Sequence, residues 1–215
     1  MIKYLKYIYR NTYKAFFSKY DLILERESKD YKSLLDVGCG GYSPISSFSK
    51  KLYCVGVDLF EKSIEESRSK GIHNDYVLCN VLDIDKHFES KQFDIVVACD
   101  VIEHLEKEDG WRLMEKMESI AKHKVIFYTP NGFLEQGDRF DNPWQVHHSG
   151  WTANDFKSKG YKVIGINGKK SLRGEYAKVK YKPVFLWNFI SDITELFVKN
   201  KPEKAFQLFA IKMIK

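Results

Sequence analysis

The chain has 215 residues, of which 44% are hydrophobic, and 35 Lys and Arg against 29 Asp and Glu give a formal net charge of +6. This length and composition predict one globular domain over residues 1–215. Its apolar runs are too short for a transmembrane helix, and Lys3, Lys6 and Arg10 interrupt the apolar core that a signal peptide needs. The four cysteines show no Cys-x-x-Cys spacing, so we expect reduced thiols in a cytoplasmic protein.

The positive charge is concentrated at the two ends of the chain. Residues 1–32 carry 8 basic and 4 acidic side chains, residues 169–215 carry 11 and 4, and the centre is net acidic. Both ends are also rich in aromatic residues. Such ends suit a membrane interface, a polyanion or an acidic partner, although lysines around a buried aromatic face would produce the same pattern.

Residues 1–32 are predicted to form an N-terminal helical cap. Apolar residues recur there at roughly helical spacing, from Ile2 and Leu5 through to Tyr20 and Ile23. Such a helix would pack on the sheet, cover the substrate pocket or touch a membrane.

A strand followed by a glycine-rich turn is the central motif of the sequence. The apolar run Leu34–Val37 predicts a buried strand, and Gly38 and Gly40 allow a turn whose backbone approaches a ligand closely. Pro44 then predicts the first turn of a helix. A second strand ends at Asp58, where a carboxylate can accept both hydroxyls of a ribose. Together these features predict a site for a nucleotide-like ligand at the edge of a parallel sheet.

The remaining sequence alternates between predicted strands and helices. In chain order these are a strand at Leu52–Asp58, a helix at Glu61–Lys70, a strand at Tyr76–Asn80, a strand at Phe93–Asp100, a helix at Glu106–His123, a strand at Lys124–Thr129, a helix at Ala153–Lys159, a strand at Tyr161–Ile166 and a strand at Ala205–Lys212. The alternation predicts an α/β fold with parallel strands and right-handed crossovers.

Four motifs stand in a specific order, namely Leu34–Gly41, Asp58, Asn80–Asp83 and Cys99–Leu105. Over residues 33–166 they resemble the ordered motifs of class I S-adenosylmethionine-dependent methyltransferases. The resemblance implies a Rossmann-like, seven-stranded, mostly parallel sheet with helices on both faces. Its last strand would be antiparallel, and Ala205–Lys212 fits that place. It also implies an enzyme whose cofactor is S-adenosylmethionine.

The same resemblance implies a set of cofactor-binding residues: Asp36, Gly38, Cys39, Gly40, Asp58, Leu59, Asn80, Val81, Leu82 and Asp100. Among them, Asp58 would hold the ribose hydroxyls and Asn80 would bond the adenine amine. Asp100 would lie near the transferred methyl group. Tyr42 stands where the family often has a third glycine, so it could narrow or cover the pocket.

Two other classes of enzyme share part of this pattern. A nicotinamide dehydrogenase also has a glycine turn and a ribose acid, but Ser43 stands at the last glycine of its G-x-G-x-x-G motif. Methyltransferases that act on amino groups resemble one another in an Asn-Pro-Pro-Tyr type motif that follows the fourth strand. This chain has Asp100–Glu103 at that position instead. We therefore expect O-methylation of a small molecule or of a glycan or lipid-linked intermediate.

The Asp-x-x-Glu-His block permits a sharper interpretation. Asp100, Glu103 and His104 share one face if the segment is helical, and with His147 or His148 they could hold a divalent cation. Small-RNA 2′-O-methyltransferases are similar here, with Glu-x-x-Glu-His plus a distant His as metal ligands, and ubiquinone-biosynthesis O-methyltransferases resemble the block too. Because metal-free relatives commonly carry Glu-His as well, we expect no metal and keep Glu103 and His104 as candidate ligands. A metal-assisted RNA 2′-O-methyltransferase is the alternative function.

The long polar loop after the fifth strand is expected to form the acceptor site. His147 and His148 are the candidate general bases, since histidine titrates near neutral pH. Asn131, Gln145 and Trp151 are the candidate acceptor-binding residues. A purely structural loop is the competing interpretation.

Residues 167–204 form a predicted helical insertion between the last two strands. Its helix, Val184–Val198, is apolar around much of its circumference and should bury against the N-terminal helix, a second subunit or a lipid surface. We expect a lid or a homodimer contact first, a peripheral membrane contact second, and no nucleic acid as a partner. A non-catalytic cofactor-binding subunit is the alternative from a different functional class.

Overall fold

A computed structural model describes residues 20–137, 142–174 and 177–215 of the chain. The strands are β1 (Ser33–Val37), β2 (Tyr53–Asp58), β3 (Asp75–Leu78), β4 (Phe93–Cys99), β5 (Ala121–Pro130), β6 (Lys162–Lys169) and β7 (Ala205–Met213). The helices are α1 (Tyr20–Ser28), α2 (Glu61–Ser69), α3 (Lys107–Ile120), α4 (Ala153–Ser158) and α5 (Val184–Val198).

The seven strands form one sheet in the order β3-β2-β1-β4-β5-β7-β6. Strands β1 to β5 pair in parallel, and β7 pairs antiparallel with both β5 and β6. The expected Rossmann-like sheet with an antiparallel last strand is therefore confirmed. The chain order reverses between β1 and β4, which is where ligands bind in such sheets, outside the carboxyl ends of the strands.

Apolar side chains pack on both faces of the sheet. On one face, α3 buries Leu113, Met114 and Met117, and Trp151 joins this cluster from the loop before α4. On the other face, Leu24 of α1 lies in a second cluster. Strand residues such as those of β4 are therefore buried on both sides, which is why β4 reads as a continuous apolar run.

The prediction of a helix after the glycine turn is wrong. Two short 3₁₀ turns, Pro44–Ser47 and Ser49–Lys51, connect β1 to β2 instead. The segment is rich in serine, whose hydroxyl competes for backbone groups and disfavours a helix interior. The Ser43 hydroxyl, for example, accepts a hydrogen bond from the Ile45 amide.

The two end regions differ in how much of them the structure describes. Of the predicted N-terminal cap, α1 lies in the described part and residues 1–19 lie outside it. The insertion helix α5 has the bounds predicted from its sequence. Across the described ranges, no helix combines the length and apolar character needed to cross a membrane.

Candidate active site

A cavity of about 320 Å³ lies at the carboxyl ends of β1 to β4, where the chain order reverses. Each strand end contributes to its lining: Gly38 and Gly40 after β1, Asp58 and Leu59 at the end of β2, Asn80, Val81 and Leu82 after β3, and Asp100 and Val101 after β4. Eight of the ten predicted cofactor-binding residues therefore meet in one cavity, because parallel strands end at the same edge of the sheet.

The glycine turn and Asp58 are bonded to each other. Asp58 Oδ2 accepts the Gly40 amide at 2.8 Å, and its Oδ1 accepts the Phe60 amide at 2.8 Å. Gly38 has a φ of 70°, and a Cβ there would lie 2.4 Å from a methyl of Val101. The position therefore requires glycine. Burial raises the pKa of the Asp58 carboxyl above its usual value, although the two amide donors oppose that shift.

Asn80 begins the turn that follows β3. Its side-chain oxygen accepts the Leu82 amide at 2.9 Å, which positions the amide group of the side chain at the cavity edge. Leu59, Val81 and Leu82 supply apolar surface beside it. A flat ring with a polar edge would fit such a wall.

Asp36 and Cys39 do not line the cavity. Asp36 is buried beneath the turn, where one carboxylate oxygen bonds to the Ser43 hydroxyl and to His73 Nε2, the latter at 2.9 Å. His73 Nδ1 lies 3.2 Å from the Ser67 hydroxyl. His73 was not predicted from the sequence, because a single histidine between a helix and a strand carries no signal of its partner.

A second cavity of about 450 Å³ adjoins the first and is lined by both polar and aromatic side chains. Tyr20, Tyr128 and Phe206 supply aromatic rings, and the Tyr20 and Tyr128 rings stack with centroids 4.2 Å apart. Three residues line both cavities: Asp100, His104 and Gln145. A ligand in the first cavity would therefore contact a ligand in the second cavity beside these three side chains.

Glu103, His104 and His147 form the triad, a cluster whose ligand atoms lie within 4.8 Å of one another. His104 Nδ1 lies 3.1 Å from the Val146 carbonyl oxygen, and His147 Nδ1 lies 2.6 Å from that of Leu134. Since a carbonyl only accepts, each Nδ1 carries the proton, which leaves each Nε2 lone pair available to a metal ion.

The triad carboxylate has one oxygen without a protein partner. Glu103 Oε2 accepts the Thr129 hydroxyl at 2.9 Å, whereas Oε1 is buried and makes no hydrogen bond. A buried oxygen of this kind costs free energy unless a ligand satisfies it. The residues therefore fit a divalent cation, which would take the Glu103 oxygen and the two imidazole nitrogens.

Burial governs the protonation of this cluster. It raises the pKa of Glu103 well above the usual value, and the nearby Asp100 charge raises it further. It also lowers the pKa of His104 to about 4, so this imidazole is neutral near pH 7. Asp100 lines both cavities and is exposed there, and desolvation by the surrounding protein raises its pKa to about 7.

Two comparisons relate the chain to methyltransferases. A family model described as "Methyltransferase domain" matches residues 35–129. A solved SAM dependent methyltransferase from Archaeoglobus fulgidus, 18% identical, has the same fold, with a TM-score of 0.58 over 95% of this chain and 99% of its own. Residues 35–129 are therefore a methyltransferase domain, in a chain that has the fold of the S-adenosylmethionine-dependent methyltransferases. Its cofactor is S-adenosylmethionine.

This methyltransferase is also similar to proteins that act on small RNA. A small RNA 2′-O-methyltransferase of Tetrahymena thermophila is 25% identical in an alignment 173 positions long, which covers 64% of this chain and 40% of that protein. The solved small RNA methyltransferase HEN1 is 21% identical, with a TM-score of 0.56 over 91% of this chain and 25% of its own. This methyltransferase thus matches less than half the length of either relative.

The predicted acceptor residues of the methyltransferase have different locations. Gln145 lines both cavities. Asn131 and Trp151 line neither of these two cavities, and both side chains are engaged within the protein. Asn131 donates its side-chain amide to the carbonyls of Pro202, Glu203 and Ala205, and Trp151 is fully buried in the core.

The two candidate general bases, His147 and His148, also lie in different environments. His147 is buried in the triad, whereas His148 is exposed, lines the first cavity and lies 3.5 Å from a Glu106 carboxylate oxygen. Adjacent residues in an extended segment point to opposite sides, so only one of the pair reaches the triad. His147 is therefore better placed to bind an ion, and Glu103 and His104 are its partners.

Proposed function

We propose that this methyltransferase methylates a hydroxyl oxygen of its acceptor with the help of a divalent cation held by Glu103, His104 and His147. The triad carries the proposal, because its ligand atoms lie within 4.8 Å of one another and one Glu103 oxygen is buried without a hydrogen bond. Imidazole nitrogens with a carboxylate oxygen suit Mn²⁺, Fe²⁺, Co²⁺ or Zn²⁺. Such an ion, when bound, lowers the pKa of a coordinated hydroxyl.

In this proposal the chain's own residues hold and align the two substrates. Asp58 accepts the ribose hydroxyls of the cofactor, and Asn80 bonds its adenine. Asp100 faces the methionine end, and it lines both cavities. Methyl transfer from a sulfonium is a direct displacement, so the enzyme gains most by fixing acceptor and methyl in line and excluding water.

The second cavity supports a small acceptor with a polar ring. Its volume of about 450 Å³ is within the range of small-molecule sites, and its lining mixes aromatic rings with the amides of Gln136, Gln145 and Gln207. A sugar unit or a glycan or lipid-linked intermediate fits this chemistry. Likeness to small RNA 2′-O-methyltransferases favours a second candidate, the terminal ribose of an RNA.

The metal part of the proposal is tested by Mn²⁺ binding. We expect the wild type to bind Mn²⁺, measured by the loss of the free-ion electron paramagnetic resonance signal. His147→Ala should weaken binding about tenfold or more, because one ligand is lost. His148→Ala is the matched control, since this neighbour lies outside the triad. Equal Mn²⁺ binding by the two variants would contradict the proposal.

The acceptor is tested separately by transfer of a radiolabelled methyl group. One panel contains polyhydroxylated small molecules and glycan intermediates, and the other contains short RNAs with free 3′ ends. Methylation of RNA with an affinity that falls steeply with salt would select the second candidate. Transfer to a nitrogen rather than an oxygen acceptor would reject O-methylation.

A further inference from the structure

Helix α5 has its polar side buried and its apolar side exposed. The buried residues include Ser191 and Glu195, which are ordinarily found outside. The exposed large apolar side chains of the helix are Val184, Phe185, Leu186, Phe189, Leu196 and Phe197. Phe185 is 78% exposed and Phe197 is 70% exposed. At 100° per residue, Phe185, Phe189, Leu196 and Phe197 fall on one side of the helix, which we call the apolar face.

Hydrogen bonds on the polar side fix this orientation. Arg173 Nε donates to the Ser191 hydroxyl at 2.9 Å, and its Nη2 lies 3.2 Å from Asp192 Oδ1. The backbone amide of Lys169 donates to Thr194 Oγ1 at 2.8 Å, and that of Asn167 to Glu195 Oε2 at 3.2 Å. Rolling the helix to bury its apolar face would break these bonds.

A glycine allows the helix to lie against the end of β6. Gly168 has a φ of 72°, and a Cβ on it would lie 2.2 Å from the Ser191 carbonyl oxygen. The helix is thus closely seated on its polar side. A contiguous apolar face that a closely seated helix presents outward marks an interaction surface.

The charge around the apolar face indicates the partner. Lys180 and Lys182 precede the helix and are exposed, and Lys201 follows it and is exposed. A second copy of this chain would bring these lysines against lysines, which opposes self-association through this face. A surface of anionic lipid offers acyl chains to the aromatic rings and negative headgroups to the lysines.

We propose that α5 lies in the interface of an anionic membrane and holds the enzyme there. The helix does not span the bilayer; its apolar face enters the boundary between headgroups and acyl chains. The end of β6 and the segment that leads from it into α5 also line the second cavity, through Asn167 and Ala177 respectively. Docking therefore brings that cavity close to the membrane surface, whichever acceptor it takes.

The test is flotation of the full chain with vesicles of phosphatidylcholine, with and without phosphatidylserine. We expect binding to the phosphatidylserine vesicles, reduced by added salt because the lysines contribute. The triple variant Phe185→Ser, Phe189→Ser, Phe197→Ser should lose about tenfold or more of this binding. The matched control, Tyr53→Ser with Phe133→Ser, removes exposed aromatic rings outside α5 and should bind as the wild type does.

Three outcomes would overturn the proposal. One is a wild type that does not float with either vesicle. Another is a triple variant that binds as well as the wild type. The last is a wild-type dimer by light scattering that the triple variant converts to a monomer without any vesicle binding, since a second copy would then cover the face. Retained titration of S-adenosylmethionine into the triple variant shows that the variant is folded, which keeps a loss of flotation interpretable.

Discussion

At the scale of single residues, the site depends on polar groups whose partners lie far away in sequence. Glu103 is oriented by Thr129 on the neighbouring strand, and His147 is oriented by the Leu134 carbonyl. Asp58 is held by the amides of Gly40 and Phe60. Fixed side chains of this kind lower the entropy cost of aligning two substrates.

Asp58→Ala is expected to weaken S-adenosylmethionine binding. A hydrogen bond to a charged acceptor contributes about 1.5–3 kcal/mol, so the dissociation constant should rise on the order of ten- to a hundredfold. Calorimetric titration measures this. Asp85→Ala is the control, because Asp85 pairs with Lys116 at 2.6 Å and does not line the cavity. An unchanged affinity in Asp58→Ala would remove this residue from the cofactor site.

At the scale of elements, α5 shows how a buried acid changes the response of stability to pH. Burial raises the pKa of Glu195 to about 7 from a usual value of 4.5, with Asp192 adding to the shift. Between these two values the folded state binds more protons than the unfolded state. The free energy of unfolding therefore falls as the pH rises through this window, and the loss is complete above pH 7.

Glu195→Gln should accordingly stabilise the protein at alkaline pH. The amide oxygen can still accept the Asn167 amide, and no buried charge remains. We expect the free energy of unfolding to rise by about 1–2 kcal/mol near pH 8 and to change little near pH 5. Urea denaturation at both values measures it, with the exposed Glu203→Gln as control. A gain of the same size at both values would contradict this account.

At the scale of the whole molecule, the first cavity is built from the ends of several strands, so a ligand there couples to global unfolding. Gly38, Asp58, Asn80 and Asp100 lie at the carboxyl ends of four different strands of one sheet. A cofactor that contacts all of them binds only while this sheet edge is intact. Binding energy therefore adds to the stability of the fold.

S-adenosylmethionine should raise the melting temperature of the wild type. At a hundred times its dissociation constant it adds about 2.7 kcal/mol, which corresponds to about 5–10 °C for a domain of this size. Differential scanning fluorimetry measures the shift. At the same cofactor concentration, Asp58→Ala should show a clearly smaller shift. Equal shifts in both proteins would place the cofactor elsewhere.

Much of the fold could be predicted from the sequence because its signals are local. The apolar run before Gly38 and the alternation of strands and helices predict a doubly wound sheet, and α5 has the bounds that its sequence indicates. The connection after the glycine turn was mispredicted, because Pro44 favours a helix start while the serines around it stop one from forming. In this segment two weak local preferences oppose each other, that of proline for the start of a helix and that of serine against a helix interior.

The sequence by itself determined the strand, the glycine turn and the acid at Asp58, because these features need only neighbouring residues. Tertiary structure alone decided that His147 meets Glu103 and His104, since a long loop must return to the strand end. It also decided that Trp151 is buried in the core and that α5 buries its polar side and exposes its apolar side. A periodic pattern shows that a helix has two faces, but only the groups packed against it determine which face is buried.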